Sequence, residues 1–171
     1  MGATDAQHGV AVRIAGQAER EAVGRLWVMF GHDMSEFTGE LPGADGAFRG
    51  ERLAAAFSAD GWVPYLFTCA GRPAGFAFVR GVGGAARVVS SCFVVRGARR
   101  GGIGLRAVRQ VVGRHPGPWE IPFQDANAGA CAFWRRVAED LAPGAWREER
   151  RAVPGRPDVP PDVWISFDTS V

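Results

Sequence analysis

Lysine is absent from this chain of 171 residues, so all twenty basic residues are arginine. Cysteine is scarce and odd in number: Cys69, Cys92 and Cys131 lie in apolar stretches with no Cys-x-x-Cys pair. That pattern suggests neither a disulfide framework nor a zinc site, and it fits a reducing cytoplasm. Long hydrophobic runs are also missing. No stretch approaches the roughly 18 apolar residues of a membrane span, and Met1 to Val10 carries neither a basic n-region nor an apolar h-region. A soluble, cytoplasmic protein is expected, with no metal and no membrane partner. Tyrosine occurs once, as Tyr65, which leaves few phenols for proton transfer. Finally, no acidic residue lies between Asp60 and Glu120, an interval that holds Arg72, Arg80, Arg87, Arg96, Arg99, Arg100, Arg106, Arg109 and Arg114. A block of one sign favours an anionic partner even though the net charge is only +2. The six tryptophans are scattered without a stacking pattern, so a nucleic-acid surface is not expected.

What the chain does have is apolar bulk. With 47% hydrophobic residues and eleven phenylalanines, it can bury the core of one domain, expected over residues 10–171 behind a loose tail at 1–9. Val10 to Ile14 alternates as a strand. From Gln17 to about Phe30 apolar residues recur at helical spacing, after which His32 to Phe37 either continues or breaks the helix. Thr38 to Gly50 reads as a loop and Glu51 to Ala59 as a short helix. Trp62 to Ala70 and Ala74 to Gly81 form a hairpin about Gly71-Arg72-Pro73, and Ala86 to Val95 suits a central strand. A helix follows from Ile103 to about Arg114, then a strand from Trp119 to Gln124, a helix capped by Asn127, and strands at Ala145 to Val153 and Asp162 to Asp168. The order β-α-α-β-β-β-α-β-α-β-β predicts an α+β domain with a mixed sheet.

One stretch organises the rest. Cys92-Phe93-Val94-Val95 is the end of an apolar strand, Arg96-Gly97-Ala98-Arg99-Arg100-Gly101-Gly102 is a basic, glycine-rich turn, and a helix opens at Ile103-Gly104-Leu105. Glycines permit positive φ and close approach, and a helix start presents free N–H groups, so the construction is an anion cradle suited to a pyrophosphate.

This run resembles the acyl-CoA-binding motif of the GNAT acetyltransferase superfamily, in which Gln or Arg, two residues, Gly, one residue, and Gly or Ala bind the CoA pyrophosphate. Asn127-x-x-Ala130-x-x-Phe133-Trp134 is similar to a later motif of the same superfamily, and Asp33 to Gly39 resembles a bacterial branch of predicted acetyltransferases. The resemblance spans Val10 to Asp168. It implies the GNAT fold, with a mostly antiparallel sheet of six to seven strands and about four helices, and acetyl-CoA or another acyl-CoA as co-substrate. Cys92, Phe93 and Val94 would meet the pantetheine where the fourth and fifth strands splay. Arg99, Arg100, Gly101, Gly102, Ile103, Gly104 and Leu105 would hold the pyrophosphate, while Asn127, Phe133 and Trp134 would contact the pantetheine arm. The implied activity is transfer of an acetyl or other short acyl group to an amine of a small molecule by direct attack.

The acid and base are less regular. Ser91 stands where the branch commonly has Glu, and Trp134 stands where the superfamily commonly has Tyr. Candidate bases are Glu36, Asp33 and His32, with Glu120 and Asp125 as alternatives; each also reads as a cap, a surface group or an ion-pair partner. Cys92 and Cys131 read as packing residues. The alternative function is a GNAT-like protein that binds CoA without ordinary acetyl transfer. A homodimer paired through the apolar Val163-Trp164-Ile165 run is a further expectation.

Overall fold

The structure is a computed structural model that describes residues 9–99 and 101–170, so all but Gly9 of the expected tail over 1–9 and the assignment of Arg100 lie outside the described residues. Among the described residues seven strands and four α-helices follow the predicted order: β1 (Val10–Ile14), α1 (Arg20–Thr38), α2 (Glu51–Ser58), β2 (Val63–Cys69), β3 (Arg72–Arg80), β4 (Arg87–Val94), α3 (Ile103–Gly113), β5 (Pro118–Phe123), α4 (Ala128–Leu141), β6 (Arg147–Arg151) and β7 (Asp162–Asp168). The strands form one sheet in the order β1-β2-β3-β4-β5-β7-β6. Only β4 and β5 run parallel, as the α3 crossover between them requires.

Two details of the elements bear on the site. Of the two alternatives for His32 to Phe37 the helix takes continuation: it runs on to Thr38 and ends at Gly39, whose N–H reaches Ser35 O at 2.9 Å. The following loop is folded back on it by a hydrogen bond from Trp27 Nε1 to Arg49 O, 3.0 Å. The β2–β3 turn is also tighter than Gly71-Arg72-Pro73, since Arg72 and Pro73 already belong to β3. Pairing with β2 continues into these two residues because Pro73 takes an end position, where the lost N–H costs little.

The sheet is covered on both faces. Leu26 and Trp27 of α1 and Ala56 of α2 pack on Phe76, Phe78 and Phe93. On the opposite face Val108, Val111 and Val112 of α3 and Val137 of α4 pack on Trp119, Ile121 and Ile165. Each such fully buried large side chain contributes about 1.5–3 kcal/mol relative to exposure.

The edges correct one expectation. Val163-Trp164-Ile165 is not an edge, because β7 lies between β5 and β6. The outer strand there is β6, Arg-Glu-Glu-Arg-Arg, whose charges discourage further pairing. At the other edge, Ala15 N–H bonds Pro64 O on β2, so the carbonyls of Val12 and Val10 face outward by alternation. Side chains of α3 cover them: Gln110 Nε2 donates to Val10 O and Arg114 Nη2 to Val12 O.

The single tyrosine is a core residue. Tyr65 is 1% exposed and its hydroxyl shares a 2.6 Å hydrogen bond with Nε2 of His115. Burial, then the charges of Arg87 and Arg114, hold the His115 imidazole below its ordinary pKa. The unfolded chain therefore takes up the proton first as pH falls below about 6.5. Stability present above that pH is lost on acidification towards the folded-state pKa. Melting curves between pH 7.5 and 5.5 should show a decline that His115→Gln, which keeps an acceptor for Tyr65, makes shallower.

Candidate cofactor cleft

The cleft begins where β4 and β5 part. Their parallel register consists of Arg87↔Trp119 and Val88↔Glu120 and then ends. Against β3, Phe78 pairs with Ser91 while Val79 pairs with Val89, so Ser90 is an extra residue in β4. Such a bulge bends and twists the strand that carries it. Beyond the bulge, one edge of β4 is left without a strand partner.

The strand then feeds the basic turn. Residues 96–98 form a short 3-10 turn, and Gly102 caps α3 with φ +75°, a conformation that other L-residues rarely adopt. The first amide to bond back into the turn is that of Arg106, to Gly102 O at 3.1 Å. The amides of Ile103, Gly104 and Leu105 precede it and have no helical acceptor. Arg106 Nη1 donates to Gly101 O at 2.7 Å, so the peptide before Gly102 is held from the helix itself. Gly104 eases the packing: a Cβ there would lie 3.1 Å from Cε2 of Phe133, tight enough that the ring would have to shift by a few tenths of an ångström. The glycines thus divide their work, Gly102 setting the turn and Gly104 letting α4 approach α3.

These elements enclose a cleft of about 510 Å³. From the strand and turn come Cys92, Phe93, Val94, Arg96, Arg99, Gly101, Gly102, Gly104 and Leu105; from α4 and its cap come Asn127, Ala130, Phe133, Trp134 and Arg136. The third wall is the continued α1, with Phe30, Asp33, Met34, Glu36 and Phe37. Most of the residues singled out from sequence therefore share one cavity, although Ile103 is buried in the core and is not among its lining residues.

Asp33 bridges the walls. It accepts hydrogen bonds from Arg96, at 2.9 Å, and from Arg99. Burial raises its pKa, but the hydrogen bonds and charges of Arg99 and Arg96 outweigh that effect and hold the carboxyl below the usual carboxylate range. Glu36, one turn on, is exposed, lines the cleft and has no hydrogen bond or ion pair with a described residue. His32 is exposed and is not among the lining residues.

The two alternative bases are paired with arginines of β6. Glu120 pairs with Arg151 at 2.9 Å and Asp125 with Arg150 at 2.7 Å. Ser91 is 5% exposed, and its Oγ has no partner among the described residues. Burial pushes the Cys92 thiol up to about 12, so it stays protonated and is a poor nucleophile at neutral pH. Trp134 is 7% exposed and meets Phe133 edge-on, with ring centroids 4.8 Å apart.

Arg136 was not read from the sequence. Gly129, Phe133 and Arg136 recur at helical spacing, so the face of α4 that carries Phe133 contained the signal. Phe30 and Phe37 were missed as wall residues because their place depends on α1 continuing past Gly31.

Asn127 acts as a helix cap, its Oδ1 accepting the Ala130 N–H at 2.9 Å. Asn127→Ala should cost about 1 kcal/mol of stability and Asn127→Asp should retain most of it, measured by denaturant unfolding.

A scan against protein-family models finds no match, and a search of curated proteins finds none. Solved structures do match. The ribosomal-protein-S18-alanine N-acetyltransferase from Escherichia coli aligns with TM-score 0.65 at 15% identity, covering 95% of this chain and 96% of that one. An acetyltransferase of the GNAT family from Staphylococcus aureus Mu50 aligns with TM-score 0.64 at 12% identity, covering 95% and 100%. The aminoglycoside acetyltransferase AAC(6')-Ib, solved with coenzyme A, aligns with TM-score 0.63 at 17% identity, covering 94% and 95%. With its parted β4 and β5, its cradle at the start of α3 and these neighbours across nearly the whole chain, this protein has the fold of the GNAT acetyltransferases.

Proposed function

We propose that the protein is an acyl-CoA-dependent N-acyltransferase acting on an amine of a small molecule. One observation carries the reading: a strand edge left open beyond Val88 leads directly into the positively charged N-terminus of α3, inside a single cleft. An unpaired strand edge offers main-chain donors and acceptors to an extended amide-bearing chain, and free helical amides beside arginine suit a diphosphate. Pantetheine diphosphate has both parts in that order. Phe133 and Leu105 supply apolar surface along the arm. The similar proteins carry acetyltransferase names, and one was solved with coenzyme A; the acceptors in their names differ, so the neighbours favour the donor more than any one acceptor.

Acetyl-CoA would supply an activated thioester, which an amine attacks without an enzyme nucleophile. The protein's part is then to position the reactants and manage protons. The protonated Cys92 thiol is consistent with direct transfer. Glu36 is the base in this reading: it borders the cleft and its carboxylate is not committed to a described arginine, whereas Asp33 is. With Phe30 and Phe37 beside it, Glu36 gives the acceptor an acidic group on an aromatic wall.

A second reading, CoA binding without turnover, is favoured by one feature. Trp134 brings no hydroxyl to protonate a leaving thiolate, and Tyr65, the chain's single phenol, is bonded to His115 in the core.

CoA or acetyl-CoA should raise the melting temperature by several degrees through linkage, while RNA should not. Gly102→Glu should abolish that shift, because it sets a strained side chain and a negative charge in the cradle. Absence of any CoA-dependent shift in the unaltered protein would remove the cofactor reading. For the reaction itself, thiol release from acetyl-CoA over a panel of amines is expected to be positive with at least one acceptor. Glu36→Gln should then lower kcat and remove the acidic limb of the pH–rate profile; an unchanged profile would exclude Glu36 as the base. CoA binding with no thiol release from any amine would select the second reading.

A further inference from the structure

Arg99 occupies a position that the proposed cofactor needs. Val95 N–H bonds Ala74 O on β3 at 2.8 Å, so by alternation the polar groups of Val94 point to the side that β5 has vacated. The Val94 carbonyl is nevertheless not open: Arg99 Nε donates to it at 2.7 Å. The same guanidinium donates through Nη2 to Asp33, and it lies 5.5 Å from the Phe93 ring centroid. Three anchors hold this side chain along the free edge of β4.

We propose that Asp33 is a built-in counter-anion that keeps Arg99 latched across the cofactor's strand edge, and that a diphosphate-bearing cofactor loads by taking the arginine from the carboxylate. The inference rests on the acyl-CoA reading and adds a regulatory contact within it. Arg99 and Arg96 keep side-chain exposures of 43% and 70%, whereas Asp33 keeps 19%. The arginines are the more exposed partners, and the carboxylate sits deeper, on α1. Each pair is weak by itself, so a diphosphate can displace it, while the two together set the roughly tenfold competition that cofactor loading must overcome. A diphosphate brings more negative charge than a carboxylate and can accept from both arginines and from the α3 amides together.

The exchange has two consequences. Val94 O becomes available to pair with an amide of the bound arm. The carboxylate of Asp33, released from Arg96 and Arg99, becomes a free anion in the cleft one turn before Glu36. An arginine latch thereby links cofactor loading to the charge presented by the α1 wall, 63 and 66 residues away from its partners in sequence.

The test is calorimetric titration of CoA into the purified protein and its variants at low salt, joined to Arg Nε–H signals in NMR spectra. Asp33→Asn and Asp33→Ser, two variants in case one fails to fold, should bind CoA about tenfold more tightly, since the competing anion is gone. Glu40→Gln removes an exposed carboxylate just beyond the end of α1 that does not line the cleft and pairs with neither arginine, and should change affinity by less than about twofold. In the unaltered protein the Arg99 Nε–H signal should shift on saturation with CoA. If CoA binds but the Asp33 variants bind it equally or more weakly, or if the Arg99 signal stays in place at saturation, the latch is wrong and the cofactor reading stands. If CoA binds none of the proteins, the cofactor reading itself falls and takes the latch with it.

Discussion

The parting of β4 from β5 is the constraint on which the site depends. Two parallel pairs are enough to seat α3 as a right-handed crossover, and the bulge at Ser90 then turns β4 away. Had pairing continued to Val94, the strand edge would be saturated and the space between the strands closed. The remaining features follow from the gap. Its floor is the open edge of β4, its end is the start of α3, and α4 walls it because Gly104 lets Phe133 approach.

Charge in the cleft is arranged in the same economical way. The acid-free interval from Asp60 to Glu120 gives strands β2 to β4 and helix α3 no anion of their own, so the cradle's arginines find their partner on a different element. That partner is Asp33, which α1 delivers by running past Phe30. Other arginines of the interval serve structure: Arg109 pairs with Asp140 between α3 and α4, and Arg114 covers an outward carbonyl of β1. A basic block in the sequence is therefore shared between the wall of the cleft and the shielding of an edge strand.

Much of this was legible beforehand, for physical reasons that differ by residue. The turn Arg96 to Gly102 is read locally, because glycine at positive φ and a following apolar-periodic helix are properties of adjacent residues. Asn127 as a helix cap is equally local, and its Oδ1 bond to Ala130 N–H matches it. The length of α1 was not settled, since Gly31 and the polar run after it permit either continuation or a break. The reading of Val163-Trp164-Ile165 as an edge was mistaken: apolarity marks a buried strand, but it does not say which strand will cover it.

The sequence by itself determined the order and type of the elements, the apolar faces that cover both sides of the sheet, and the cradle, because these arise from periodicities and backbone preferences within a few residues. Tertiary structure alone decided which side chains meet across the chain. It placed β7 between β5 and β6, bonded Tyr65 to His115 fifty residues away, withdrew Asp33 into an arginine pair and left Glu36 without one among the described residues. Partner choice of this kind is made by packing and burial over distances that no local pattern encodes, and it is what distinguishes a carboxylate that ties the cleft walls together from one that stays exposed along them.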